Sequence, residues 1–369
     1  MARGRSEMKI TKNKLVSLLV REFIFLDRNI KYFKSRVFNL HKIQQVLKEP
    51  PSLLGLNTTG YCNAKCCYCA YPMHKPDGIM DMAIYEKAVI DFNSMGGGLI
   101  GLSSMTGEPL LDPYLIPRIE FAANLDNITG IIIVTNGILF QREDIVTDLI
   151  RLASDVDISI YISMPGFERE MFERVFGVAN YDKVLMGISS LLKANQENNN
   201  ALQIVLQLEA DRGGVRQDQD FINMIMPYTN KANISTGLVL LRGDWCGQIS
   251  QEQLTGDMLL HRPLKFKNYP CYQILKGDID ILVNGDARVC GCQYGKKGKY
   301  DCLVIGNIMK DRLSDIWFGD ARAEICNQFI KGEVPEPCQV CTMYEPYVNS
   351  TNTSFLTTLY RRVSELHFF

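Results

Sequence analysis

The 369-residue sequence lacks an excess of charge of either sign: 40 Lys and Arg stand against 41 Asp and Glu, a formal net charge of -1. A general nucleic-acid binder would carry a broad basic surplus, so that class is set aside. No apolar run reaches the roughly 18 residues that a membrane-crossing helix needs. The basic N-terminus has neither the compact apolar stretch nor the small-residue cleavage site of a secretory signal, and the expected location is the cytoplasm. There is no long internal repeat and no low-complexity linker. What remains, 46% hydrophobic and 22% charged, is a globular composition long enough for one large domain and a smaller appendage.

Twelve cysteines are the exception. They fall in two tight groups with stragglers between. Without a signal peptide, such groups read as ligands of metal centres kept reduced rather than as disulfides.

Residues 1–50 are a basic helical segment, in which Lys14, Arg21, Arg28, Lys31 and Lys34 interleave with Leu15, Leu19, Phe23, Leu26 and Phe33. Pro50-Pro51 closes it. Over residues 51–250, apolar runs at Leu53–Asn57, Leu99–Ser103, Ile131–Thr135, Ile158–Ser163, Leu202–Leu208 and Leu238–Leu241 read as strands. Helical patterns at Met82–Ser94, Leu115–Ala123, Ile145–Ala153, Tyr181–Asn195 and Phe221–Tyr228 lie between them. The repeats predict an α/β fold, a partial (β/α)6 barrel of TIM-like kind, with its chemistry at the C-terminal ends of the strands. Residues 251–345 change texture to α+β. Ile279–Val283 and Ala287–Cys290, joined by Asn284-Gly285-Asp286, predict a β-hairpin, and Asp311–Phe329 a helix. Residues 346–369 form a tail.

Directly after the first strand stands Cys62-Asn63-Ala64-Lys65-Cys66-Cys67-Tyr68-Cys69. Cys62, Cys66 and Cys69 give C-x3-C-x2-C, three thiolates that can hold three irons of a cubane and leave the fourth open to a non-protein ligand. A zinc loop closed by His74 is the other reading, and Cys67 allows further pairings. The run resembles the signature of the radical S-adenosylmethionine (SAM) superfamily, and further motifs follow in that family's order. In Met105-Thr106-Gly107-Glu108-Pro109-Leu110 the resemblance implies that Gly107, Glu108 and Pro109 hold the SAM amino group. It implies a strand-end turn at Thr135-Asn136-Gly137. It also implies SAM contacts from Ser159 and Ser163 on the fourth strand, and from Arg174 in Phe172-Glu173-Arg174-Val175-Phe176-Gly177.

Among the later cysteines, Cys338-Gln339-Val340-Cys341 is a chelating C-x2-C pair. Cys271 precedes the predicted hairpin and Cys290 ends it, so the turn brings these two together and the four make a cysteine-only site. Cys292 rivals Cys290; Cys302 and Cys326 read as ordinary buried thiols. With Gly306-Asn307-Ile308 and Leu313-Ser314-Asp315-Ile316-Trp317, the region resembles the SPASM/twitch extension of radical SAM enzymes. Thr342–Phe369 holds no further cysteine, which implies the form with one auxiliary cluster.

The resemblance implies two 4Fe-4S clusters and SAM as cofactors. The first cluster supplies an electron that cleaves SAM to a 5′-deoxyadenosyl radical, and the radical abstracts a hydrogen from the substrate. The auxiliary cluster passes an electron. The expected activity is oxidation or epimerisation of a small polar, sugar-like or natural-product substrate. Rival readings are a maturase of a ribosomally made peptide and a non-catalytic electron-transfer or scaffold protein. Cys246 is the candidate hydrogen donor, Asp244 and Trp245 on the same loop are expected to face substrate, and Asp244 or Asp211 is the candidate base. A flavodoxin or ferredoxin is the expected electron donor. The N-terminal segment is expected either to pack on the barrel or to meet an acidic partner or an anionic membrane surface.

Overall fold

A computed structural model describes residues 12–38, 40–73, 78–102, 106–209, 215–229, 234–238, 241–291 and 301–348. His74, Met105, Asp211 and Cys292 lie outside these residues. Two helices come first, α1 (Lys12–Phe38) and α2 (Ile43–Val46). Strands and helices then alternate: β1 (Leu53–Leu56), α3 (Met82–Ser94), β2 (Gly98–Leu102), α4 (Leu115–Ala123) and β3 (Ile128–Thr135). Next come α5 (Glu143–Leu152), β4 (Asp157–Met164), α6 (Arg169–Phe176), α7 (Tyr181–Glu197) and β5 (Gln203–Leu208). A π-helical turn at Phe221–Ile225 runs into α8 (Met226–Thr229), and β6 (Ile234–Leu238) follows.

β1 to β6 pair in sequence order, every neighbour parallel. Local chemistry starts the helices where the pattern places them. Asp81 accepts the amide of Ala83 at 2.8 Å to cap α3, and Glu143 and Asp144 in the first turn of α5 oppose Arg151 in its last. Along β4, Ile158, Ile160, Ile162 and Met164 are buried while Ser159, Tyr161 and Ser163 are half-buried. Period-two alternation thus gives one face to the helices and the other to the barrel interior. The sixth strand ends where the sequence pattern would begin it. Leu241 instead lies in a separate pair, β7 (Leu241–Arg242) with β8 (Leu259–Leu260).

The second region continues the same sheet. After α9 (Tyr272–Lys276), β9 (Asp278–Ile281) pairs in parallel with β1. β10 (Asp286–Arg288) returns antiparallel to β9, closing the expected hairpin, and β11 (Val304–Asn307) adds a third strand. The predicted helix at Asp311–Phe329 is two helices, α10 (Leu313–Phe318) and α11 (Asp320–Lys331). They break at Gly319, whose backbone is extended. α12 (Glu336–Val340) carries Cys338, and Cys341 caps its C-terminal end.

Among the described residues α1 and α2 pack on this second region, and Val20 of α1 also packs against Leu241 and Leu259 of the β7–β8 pair. Tyr32, Ile43 and Val46 share a core with Tyr269, Leu275, Cys326 and Phe329. Arg28 donates to Glu345 at 3.0 Å and to the carbonyl of Thr342 at 2.9 Å. The helix also stops at Phe38, well short of the proline pair.

Candidate functional site

A cavity of about 310 Å³ opens at the C-terminal ends of the parallel strands. Cys62, Cys66 and Cys69 line it, together with Gly107, Glu108, Thr135, Asn136 and Ser163. Cys67 does not; it packs against the core. Residues spread over 100 positions of sequence therefore meet because each ends, or directly follows, a strand of one sheet.

The cysteine loop is held from below by α6. The amides of Lys65 and Cys67 donate to the carbonyls of Phe176 and Val175 at 2.8 and 2.9 Å, satisfying carbonyls that the helix end leaves open. Gly177 ends that helix in the left-handed region at φ +66°. From above, Gly107 sits at φ +103°, and a Cβ there would lie 2.0 Å from the carbonyl oxygen of Thr59. The amide of Glu108 donates to the carbonyl of Tyr61 at 2.7 Å. A buried ion pair of Arg118 and Asp112, at 2.8 Å, anchors the far side of this loop.

Glu108 is fully engaged within the protein. Its Oε1 accepts the Thr135 hydroxyl at 2.6 Å and the Leu110 amide at 3.2 Å, and its Oε2 accepts the Asn136 amide at 2.8 Å. Burial nevertheless pushes its carboxyl up to about 7. Glu108 thus ties the loop after β2 to the end of β3. Asn136 in turn donates to Asn63 at 2.7 Å, tying β3 to the cysteine loop. Pro109 opens a buried 3-10 turn behind Glu108 and does not line the cavity.

Ser159 lies at the opposite end of β4 from Ser163, beside Gln203 at 3.4 Å. The two share a face, but four residues of strand separate them by about 13 Å. Arg174 is exposed on α6 and does not reach the cavity wall. Asp244 is turned away: its Oδ1 accepts the Thr342 hydroxyl at 3.0 Å, and its amide donates back to Thr342 Oγ1 at 3.0 Å. Cys246 is buried within electrostatic reach of Cys290 and Cys338 and does not line the cavity.

Other lining residues escape the motif reading. Glu209 immediately follows β5 and pairs with Arg242 at 2.7 Å, and Arg242 lies over the ring of Tyr68 at 4.0 Å. Gln207 and Met343 complete this wall, beside Trp245 from the loop expected to face substrate. The strand-end rule would have pointed to Glu209; Arg242 and Met343 come from elements that no pattern places.

A second, smaller pocket gathers Cys271, Cys290, Cys338 and Cys341. Cys302 and Cys326 lie outside its lining. Lys267 donates to the carbonyls of Cys338, Gln339 and Cys341 at 2.8, 2.9 and 2.8 Å, fixing the C-x2-C loop. Met343 lines both cavities.

Both cysteine sets suit iron–sulfur clusters. Burial pushes the thiols of Cys62 and Cys271 up to about 11 each, and raises those of Cys66, Cys69, Cys338 and Cys341. Thiolates here therefore need the positive charge of a metal centre. Backbone amides already point at sulfur, from Ala64 to Cys62 at 3.5 Å, Tyr71 to Cys69 at 3.3 Å and Met343 to Cys341 at 3.2 Å. Among the described residues no three His, Cys, Asp or Glu side chains converge on one metal ion. In a cubane each thiolate binds its own iron, so convergence is not required.

Comparison with known proteins agrees with this geometry. Residues 56–218 match the Radical SAM superfamily, and residues 271–342 match SPASM, an iron-sulfur cluster-binding domain. GTP 3′,8-cyclase of Haemophilus influenzae is 30% identical over 139 residues, 37% of this chain and 39% of that protein. The same-named protein of Shewanella denitrificans is 25% identical over 163 residues, 43% of this chain and 46% of that one. The chain thus spans less than half the length of these relatives. Among solved structures, BtrN in complex with AdoMet and 2-DOIA aligns with a TM-score of 0.54 at 16% identity, over 82% of this chain and 98% of that one. Streptococcus suis SuiB bound to its precursor peptide SuiA aligns with a TM-score of 0.54 at 14% identity, over 76% and 67%. These two likenesses speak to the fold.

Proposed function

We propose that this chain, whose residues 56–218 match the Radical SAM superfamily and whose residues 271–342 match an iron-sulfur cluster-binding domain, is a radical SAM enzyme that oxidises or epimerises a small polar substrate. The carrying observation is the cavity at the strand ends, where the Cys62, Cys66 and Cys69 thiols face Gly107, Thr135, Asn136 and Ser163 across about 310 Å³. In this reading those three thiolates hold a 4Fe-4S cluster, and Cys271, Cys290, Cys338 and Cys341 hold the single auxiliary one. Once bound, the first cluster and SAM supply a radical able to take hydrogen from an unactivated C–H bond.

The protein's own residues do the positioning. Gly107 lets the SAM-facing loop approach the cysteine loop, and Glu108 locks that loop to Thr135 and Asn136. Ser163, Gln207, Glu209 and Arg242 give the opposite wall donors and acceptors suited to a hydroxylated or aminated molecule. Trp245 donates its indole N–H to the carbonyl of Tyr68 at 2.9 Å and closes the cavity beside the cysteines. The domain division is 51–250 for the barrel and 251–345 for the auxiliary region, with 1–50 as a brace and 346–369 as a tail. A reductant of flavodoxin or ferredoxin type supplies the electron.

The test is anaerobic. Reconstituted protein given dithionite and SAM forms 5′-deoxyadenosine, with about eight irons per chain if both cubanes are full. The Cys62→Ala, Cys66→Ala, Cys69→Ala triple variant forms none. Zinc in place of iron, or product from the triple variant, defeats the assignment.

A further inference from the structure

Lys267 is 6% exposed, and its Nζ donates to the backbone carbonyls of Cys338, Gln339 and Cys341 at 2.8, 2.9 and 2.8 Å. Three acceptors take three N–H groups, which an ammonium has and a neutral amine does not. The side chain is therefore a buried cation. Among the described residues no carboxylate pairs with it; Asp244 acts on it from a distance and is itself bonded to the Thr342 hydroxyl at 3.0 Å. The Tyr344 ring, 6.0 Å away, is at the outer limit of a cation–π contact. Arg28, Arg118 and Arg288 are as deeply buried, and each has a carboxylate within 3.0 Å. Arg322 also bonds carbonyls alone, but its delocalised guanidinium lies over the Trp317 ring at 3.8 Å. A lysine ammonium is a point charge, and burying it unpaired is costly.

The missing counter-charge lies in the pocket next to it. Cys271, Cys290, Cys338 and Cys341 line that pocket, and Lys267 is within electrostatic reach of Cys271, Cys338 and Cys341. Four thiolates leave a cubane net negative, and its one-electron reduction makes it more so. A cation fixed against the carbonyls of two of its ligands therefore favours the reduced form. The first cavity is built differently. Its cation, Arg242, is already paired with Glu209 at 2.7 Å, so the pair brings little net charge to Cys62, Cys66 and Cys69.

We propose that Lys267 is the counter-ion of the auxiliary cluster, a positioning residue whose charge raises that cluster's reduction potential and suits it to accept an electron. One electron from a reductant converts the oxidised auxiliary cluster to its reduced form, and no bond is made or broken. The inference rests on the reading of Cys271, Cys290, Cys338 and Cys341 as ligands, and it does not depend on the substrate.

A redox titration of the reconstituted full-length protein, poised with dithionite and followed by electron paramagnetic resonance, tests it. Lys267→Gln is neutral yet still able to donate to two of the carbonyls, and Lys267→Arg keeps the charge. At the wild-type midpoint of the auxiliary cluster, Lys267→Gln should hold about tenfold less reduced relative to oxidised cluster, a shift of about 59 mV to lower potential. Lys267→Arg should stay within about threefold of wild type, and the first cluster's midpoint should not move in either variant. An unchanged auxiliary midpoint in Lys267→Gln overturns the proposal, and so does an equal shift of both clusters. Iron content decides the case where a variant fails to hold the auxiliary cluster. Loss in Lys267→Gln alone shows that the charge is needed; loss in both variants overturns the proposal, because shape and not charge then holds the loop. Failure of the ligand reading looks different: wild type gives a single cluster signal, and Cys338→Ala keeps all its iron.

Discussion

Gly107 shows how much of the site rests on one missing side chain. At φ +103°, with the Thr59 carbonyl oxygen 2.0 Å from where a Cβ would sit, Gly107→Ala meets both backbone strain and a clash with another loop's backbone. Neither can relax without separating the Gly-Glu loop from the cysteine loop. Gly107→Ala is therefore expected to keep its iron yet bind SAM about tenfold or more weakly, measured by equilibrium binding under anaerobic conditions. Unchanged SAM affinity would remove the close approach from the account. Cys67 gives the complementary prediction. It alone of the four clustered cysteines does not line the cavity, so Cys67→Ala should retain both iron and 5′-deoxyadenosine formation, while Cys69→Ala loses them. At this scale the triad was legible because C-x3-C-x2-C has a chemical meaning. Arg174 was not, because a motif gives a residue's neighbours in sequence and not the side of the helix it occupies. What the Phe172–Gly177 stretch contributes instead is the end of α6, whose carbonyls hold the loop of Lys65 and Cys67.

Elements were legible where period and cap agree. Met82–Ser94 and Leu115–Ala123 are helices over the expected residues, and the Asn284-Gly285 turn gives its hairpin. The pattern fails where tertiary contacts choose between two local options. One case is Gly319, where an apparent single helix divides. Another is Leu241, which leaves the barrel to pair with Leu259. That small sheet holds His261, whose amide donates to the carbonyl of Arg242 at 3.0 Å. Burial, reinforced by the nearby Arg28 charge, pushes the His261 imidazole down to about 3 from an ordinary 6.5. The unfolded chain therefore binds a proton between pH 6.5 and 3 that the folded chain refuses. Stability is complete above 6.5 and falls as the pH drops through that window, by at most about 1.4 kcal/mol per pH unit from this group. Thermal melts of wild type and His261→Gln between pH 7 and 5 should diverge, with the wild type losing more on acidification. Parallel losses would mean that His261 is not held neutral.

At the scale of the whole molecule, the two cysteine sites share a wall. Met343 lines both, Asp244 and Thr342 bind each other, and on the same loop Trp245 lines the first site while Cys246 lies within electrostatic reach of Cys290 and Cys338. Trp245 and Cys246 hold this division in left-handed backbone at φ 49° and 56°, a conformation that strains a residue with a side chain by about 1–3 kcal/mol. The sequence separates these parts by about 100 positions, so no motif could show the contact; the return of β9 to pair with β1, and the bond from the Leu313 amide at the start of α10 to Asp91 of α3, bring the second region against the first. The arrangement makes the sites adjacent but separately built: among the described residues, the first cysteine loop takes its backbone hydrogen bonds from α6 and the Gly-Glu loop, not from α12 or the hairpin. Cys338→Ala should accordingly lower iron from about eight to about four per chain and remove one of the two reduced-cluster signals in electron paramagnetic resonance. It should leave 5′-deoxyadenosine formation from SAM alone within a few-fold of wild type. Loss of that activity together with the iron would mean that the auxiliary site supports the first cavity structurally. Full iron in the variant would take Cys338 out of the ligand set.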